Sequence, residues 1–295
     1  MSAPITLFTY SRLAHTRQTV EALKANAIAS ESDLIVFCDA AKSKKDELQV
    51  DCVRAYIRAL DGFRSVKIHE REENYGLAKS IIDGVTQVCK EYGRAIVLED
   101  DMVTSPHFLT YMNEALDRFC MDERVVSIHG YSYPVVEKLP EAFFLRGADC
   151  WGWGTWRRGW DIFNPDGRFL LSELKRRDLL SAFDLNGAFK YSEMLAEQIN
   201  GRNDSWAVRW HASCFLADKL TLYPGTSLVH NIGNDGSGVH SGSTGKFDAL
   251  LSEMPIDLSG IEVGPSSTGK LAFERFLRGI KSNVFTQLFH RMRGL

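Results

Sequence analysis

Residues 94 to 103 read RAIVLEDDMV, an apolar run from Ala95 to Leu98 that ends in three consecutive carboxylates, Glu99, Asp100 and Asp101. Adjacent negative charges repel, and burying even one unpaired carboxylate costs on the order of several kcal/mol. Two arrangements make such a triplet tolerable. A solvated acidic turn can lead into a helix, since acids favour helix N-termini. Alternatively, the acids hold a hard divalent cation, which takes oxygen ligands and offsets the repulsion. The triplet by itself is compatible with both.

Other residues widen the chemistry. Arg12, in the turn of TYSRLAHTR, either meets an anionic ligand or faces water. Asp39 closes DLIVFCDA, where a carboxylate accepts hydrogen bonds from a ribose or a base edge, or caps a helix. In ENYGLAKSI, Asn74 and Gly76 suit a helix start, and Lys79 is a candidate phosphate contact. WGWGTWRRGW crowds Trp151, Trp153, Trp156 and Trp160 together. Indole rings either fill a core or stack on the apolar face of a sugar. Gly152 and Gly154 favour at least one ligand-facing ring, assigned here to Trp153. Asp204, in GRNDSWAVRW, is a helix N-cap or a general base that takes a proton from an attacking hydroxyl. The loop NIGNDGSGVHSGSTG sets Asp235, Ser237 and His240 among glycines, as in a surface segment or a lid over a ligand, spanning residues 234 to 245.

The elements that must position these residues are legible from periodicity. PITLFTY, DLIVFCDA, SVKIHERE and RAIVLED read as strands. HTRQTVEALKANA, DELQVDCVRAYIRAL and LAKSIIDGVTQVCKEY read as the helices between them. This alternation predicts a mostly parallel α/β sheet covered by helices on both faces. In such a sheet the strands' carboxyl ends, which carry Asp39 and the triplet, face the ligand crevice. SPHFLTYMNEALDRFCMD reads as a helix with Ser105 as N-cap and Pro106 at its first position. Further on come a strand at VVSIHGYSY and a helix around FDLNGAFKYSEMLAEQI, followed by LTLYPGTSLVHNI and the Gly/Ser-rich loop. From Pro255 the chain reads as a loosely attached tail ending in a basic amphipathic helix. Its stripe of Phe273, Phe276, Leu277, Ile280, Val284, Leu288 and Met292 suits docking on the protein, a homodimer contact, or an anionic membrane surface.

The 295 residues suit one large domain with an appendage, and 44% hydrophobic with 25% charged residues suits a packed core. A net charge of −3 gives no electrostatic case for nucleic acid. The six cysteines form no CxxC pair, as in proteins with reduced thiols. MSAPITLFTYSR has no signal-peptide pattern, and no apolar run reaches the length of a membrane span. The expectation is a cytoplasmic protein, with peripheral contact at the inner face of the membrane if the tail binds lipid.

Taken together, Arg12, Asp39 in VFCDA, VLEDDMVTSPHFLTYM, the Gly/Trp segment and the NDSW turn resemble the GT-A class of nucleotide-sugar glycosyltransferases, over roughly residues 4 to 245. The nearest likeness is to N-acetylglucosaminyltransferase I and to bacterial polysaccharide transferases with a WGWGTW element. The resemblance implies a Rossmann-like GT-A fold with a nucleotide-sugar-binding half (1–128), an acceptor half (129–254) and the tail (255–295). It implies Mn²⁺ or Mg²⁺ on Asp101, bound also to a UDP diphosphate. Glu99 and Asp100 would contact ribose, sugar or metal-bound water, and Arg12 and Asp39 the nucleotide. Lys79, Trp153, Ser237 and His240 complete the expected donor contacts. The base comes from a DDW-like turn, where Asp204 matches the first acid but Ser205 replaces the second. The implied activity is inverting transfer of a hexose, such as N-acetylglucosamine, to a saccharide or lipid-linked saccharide in bacterial surface polysaccharide synthesis. A non-catalytic nucleotide- or carbohydrate-binding protein on the same fold is the alternative. A nucleotidyltransferase would need a Gly-rich phosphate loop after the first strand, and TYSRLAHTR has no glycine.

Overall fold

The computed structural model describes residues 2–236 and 245–280. Its first half alternates β1 (Ile5–Thr9), α1 (Leu13–Lys24), β2 (Asp33–Cys38), α2 (Glu47–Arg58), β3 (Ser65–Glu70), α3 (Gly76–Tyr92) and β4 (Arg94–Glu99). Then follow β5 (Met102–Thr104), α4 (Phe108–Arg118), β6 (Val125–His129), β7 (Ala142–Arg146), β8 (Trp153–Trp156) and α5 (Arg157–Trp160). Helices α6 (Gly167–Arg176), α7 (Leu180–Phe183), α8 (Tyr191–Ile199) and α9 (Trp206–Leu216) lead to β9 (Leu220–Pro224), β10 (Val229–Asn231) and α10 (Ser267–Gly279).

Eight strands form one mixed sheet in the order β3-β2-β1-β4-β8-β6-β9-β7. The β3-β2-β1-β4 half is parallel throughout. Strand β8 enters antiparallel between β4 and β6, β9 runs parallel to β6, and β7 closes the edge antiparallel to β9. The expected α/β sheet covered on both faces is therefore present. Its apolar runs are continuous because alternate side chains enter different cores. From β1 and β4, Ile5, Leu7, Ile96 and Leu98 join one core with α1, α2 and α4. Phe8, Ala95 and Val97 join the other, with α3 and α9.

Three sequence expectations are corrected. Helix α4 begins at Phe108, and Ser105 does not cap it; its hydroxyl accepts from the His107 N–H (3.2 Å) and donates to the Ser252 carbonyl (2.7 Å), tying a turn instead. The helix expected around residues 183 to 199 breaks after Phe183, because Leu185, Asn186 and Gly187 adopt left-handed φ of 49°, 53° and 79°. Residues 255 to 280 are packed on the body rather than loosely attached. Ile256 and Leu258 enter the main core, the Ser266 N–H bonds the Phe144 carbonyl (2.8 Å), and Phe273 meets Phe143, Tyr133 and Tyr223 ring to ring. The rest of the stripe, Val284, Leu288 and Met292, lies outside the described residues. Among the described residues, no helix is long and apolar enough to cross a membrane.

Candidate active site

Parallel pairing of β1 with β4 brings the turn after β1 beside the turn after β4. The Arg12 guanidinium consequently donates to Asp100 and, at 2.7 Å, to Asp101 Oδ2. Two bonds to its main-chain carbonyls fix the acidic turn: the Thr19 hydroxyl of α1 donates to the Asp100 carbonyl (2.9 Å), and the Ile232 N–H donates to the Asp101 carbonyl (2.9 Å). Both aspartates are buried, and one oxygen of each, Asp100 Oδ2 and Asp101 Oδ1, has no hydrogen-bond partner among the described residues. Such atoms are costly unless something fills the gap between them.

The electrostatics follow from that crowding. Removal from water, then repulsion by Asp101 and Asp100, raises the Glu99 carboxyl to about 8. Desolvation also raises Asp100, to about 6, against the opposing pull of Arg12. Burial works against the Arg12 charge, yet the two aspartates hold it above its ordinary value. One guanidinium does not neutralise three acids.

A second wall of the site comes from far along the chain. Strand β10 pairs antiparallel with β5, directly after the triplet. The turn it leads into lies on Asp101: a Cβ on Gly233 would stand 2.1 Å from Asp101 Oδ2, so any side chain there must displace that carboxylate. The Asn231 side chain accepts from the Gly233 N–H (2.8 Å), and Asp235 pairs with His15 Nε2 of α1 at 3.1 Å. Asp235 was visible within the Gly-rich loop, whereas nothing local in the sequence links Asn231, Gly233 or His15 to the triplet.

The remaining candidates have mixed fates. Asp39 is buried, and its carboxylate accepts the N–H groups of Ala40, Tyr75 and Gly76 at 2.9–3.0 Å, which ties β2 to the start of α3. Asn74 does not cap α3; its side chain donates to the Ala40 carbonyl (2.7 Å). Lys79 is exposed over the Tyr75 ring (3.6 Å) and near Glu73. Trp153 is core: it is 1% exposed and packs against Trp160, Trp206 and Trp210 at 5.6–5.8 Å. Gly152 is needed for a left-handed φ of 63°, and Gly154 lies against the Ala95 carbonyl and Leu116. Both glycines thus serve packing. Asp204 is exposed and pairs with Arg209 at 3.1 Å, while Ser205 caps α9 by accepting from the Val208 N–H. Ser237 and His240 lie outside the described residues.

The register places one more carboxylate at this edge. Val97 pairs with Trp153 on the antiparallel β8, so the chain before Trp153 runs past the carboxyl end of β4. The segment is pinned by the Trp151 N–H on His129 Nε2 (3.0 Å) and by Ala148 against His211. Half-buried Asp149 stands between those pins and accepts from the Cys150 N–H (2.9 Å).

Among the described residues, no group of three His, Cys, Asp or Glu side chains is arranged around a metal ion. The orphaned oxygens of Asp100 and Asp101 are nonetheless hard donors on adjacent residues, the type Mn²⁺ or Mg²⁺ takes.

No protein-family model matches the chain, and no curated protein sequence does. Among solved structures, the mannosyltransferase PcManGT of Pyrobaculum calidifontis, in complex with GDP-Man and Mn²⁺, is 11% identical, with a TM-score of 0.33, over 45% of this chain and 37% of that one. TarS of S. aureus is 13% identical, with a TM-score of 0.33, over 60% of this chain and 30% of that one. The chain therefore spans about a third of the length of these two structures.

Proposed function

We propose that the protein is a metal-dependent, inverting glycosyltransferase of the GT-A type. It would move a hexose, such as N-acetylglucosamine, from a UDP-sugar to a saccharide or lipid-linked saccharide in bacterial surface polysaccharide synthesis, at the cytoplasmic side of the membrane. The observation that carries the reading is the pair of buried, unpartnered oxygens on Asp100 and Asp101 at the carboxyl end of a central parallel strand. That edge is where open α/β sheets bind ligands.

In this reading Asp101 holds Mn²⁺ or Mg²⁺, with Asp100 beside it. A bound divalent cation supplies positive charge that stabilises the departing diphosphate. Arg12, one-fifth exposed, is free to add its charge to the diphosphate once the acids have another counter-ion. Gly233 keeps the backbone close over Asp101 without a side chain in the way. Residues 1–128 would bind the donor and 129–254 the acceptor, with Asp39 near the nucleotide through the turn it holds.

Calorimetric titration with UDP-, GDP- and dTDP-sugars, each with and without Mn²⁺, tests the proposal, together with Mn²⁺-dependent donor hydrolysis. Metal-dependent binding of one nucleotide class with slow hydrolysis is expected. Saturable binding without any turnover would favour a non-catalytic nucleotide-binding protein, and no binding at all removes both readings.

A further inference from the structure

We infer that Asp149, rather than Asp204, takes the proton from the acceptor hydroxyl. The inference rests on the glycosyltransferase reading and deepens it. Asp204 lies in the NDSW turn, but its Oδ1 is engaged by Arg209, whose guanidinium also donates to the Ser205 carbonyl (3.1 Å). That pairing makes Asp204 part of the brace at the start of α9, with three-quarters of its side chain in solvent. Asp149 differs in each respect. Among the described residues no Lys or Arg pairs with it, it is half-buried, and its bond to the Cys150 N–H fixes one oxygen and orients the other.

Its position suits the task. The 149–152 segment leads into Trp153, which pairs with Val97 near the carboxyl end of β4, and Gly152 turns the chain there with a left-handed φ of 63°. The Cys150 thiol is raised well above its ordinary value by burial first, and then by the charges of Asp149, Glu99 and Asp101. The segment also carries an aromatic pair: half-buried Trp151 meets Tyr131 edge-on at 4.7 Å, and indole faces of this kind stack on sugar rings. Asp149 therefore lies two residues before the Trp151 ring, on the segment that leads into the strand paired with β4.

The buried histidines and tyrosines around this segment are unsuited. His129 and His211 are held below their usual range chiefly by burial, but they are 0% and 9% exposed and already bonded to Trp151 and Ala148. Tyr131 and Tyr223 are held above theirs by burial and so keep their protons. A carboxylate within hydrogen-bond reach of an acceptor is the remaining candidate. In the step, the acceptor O–H proton passes to an Asp149 oxygen as that hydroxyl oxygen bonds to the anomeric carbon. The bond from the anomeric carbon to the diphosphate oxygen breaks, its electron pair leaving with the nucleotide.

The test compares Asp149→Asn, Asp149→Ala and Asp204→Asn in Mn²⁺-dependent hydrolysis of whichever UDP-, GDP- or dTDP-sugar the protein turns over. Affinity for the nucleoside diphosphate with Mn²⁺ is measured in parallel. Loss of kcat by about 10²–10⁴ in both Asp149 variants, larger than in Asp204→Asn, is expected. Nucleotide affinity should be unchanged, and added formate should partly restore Asp149→Ala. Near-normal turnover in Asp149→Asn, or a greater loss in Asp204→Asn, overturns the assignment. So does a joint fall of rate, nucleotide affinity and melting temperature in both Asp149 variants, which would make the residue structural. A parent protein that hydrolyses none of these donors with Mn²⁺ instead overturns the glycosyltransferase reading itself.

Discussion

Arg12 is the counter-ion of the acidic turn, and the energetics of the site pivot on it. Removing one partner of a buried ion pair costs more than the pair contributes, because the remaining charge stays desolvated. Arg12→Ala is therefore expected to lower stability by about 3 kcal/mol without metal, the low end for a buried pair because the guanidinium is 21% exposed. Mn²⁺ should recover part of that loss, as urea midpoints with and without the ion will report. Asp101→Asn removes one of the repelling charges, so its stability in the absence of metal should hold or rise while Mn²⁺-dependent nucleotide binding disappears. Gly233→Ala should weaken Mn²⁺ binding in calorimetry with the fold retained, since the methyl must push Asp101 Oδ2 aside. The triplet and Arg12 could be picked out from residue type and place in the strand pattern. Gly233 and Asn231 could not, because they reach Asp101 only through a pairing of β5 with β10 that no local pattern announces.

At the scale of elements, β8 shows why the tryptophans were misread. WGWGTW has the composition of a sugar platform, yet its last four residues, Trp153–Trp156, are an interior strand between β4 and β6, and interior strands are covered on both faces, whereas Trp151 precedes the strand and is half-buried. Trp156 and Trp160 find partners for their indole N–H groups in the Leu116 carbonyl (3.0 Å) and Thr86 (2.8 Å), as buried indoles usually do. Trp153→Ala should accordingly cost about 3–5 kcal/mol in chemical denaturation, as a large core truncation does. The same strand rests on His129, whose ring accepts the Trp151 N–H from a fully buried position and whose pKa is lowered chiefly by burial. A group with a lowered folded pKa binds fewer protons folded than unfolded. Its contribution is intact above the unfolded value of about 6.5 and is lost as pH falls, by up to about 1.4 kcal/mol per pH unit. Urea midpoints between neutral pH and pH 5 should decline more steeply in the parent than in His129→Gln.

Across the whole molecule, the parallel half was legible because its strands and helices alternate with clear periods of two and 3.6 residues. The second half was not, since β6 to β9 interleave out of chain order and the helix breaks depend on single left-handed residues. The tail was misjudged for a related reason: an amphipathic stripe shows that a face is covered, not by what. For residues 267 to 280 the cover is the protein, and several cations pair locally, Lys270 with Glu274 at 2.7 Å and Arg275 with Glu137 at 3.2 Å. Phe273→Ala should destabilise the entire domain by about 3–5 kcal/mol, read as one cooperative transition, rather than release a tail from an intact body.

The β5–β10 ribbon has a practical corollary. Because the Ile232 amide hydrogen is anchored on the carbonyl of Asp101, any ion or phosphate that shifts the acidic turn tugs on a nucleus distant in sequence but adjacent in space. That single amide resonance is a ready-made gauge of site occupancy, legible by magnetic resonance without a chromophore, an acceptor or any turnover.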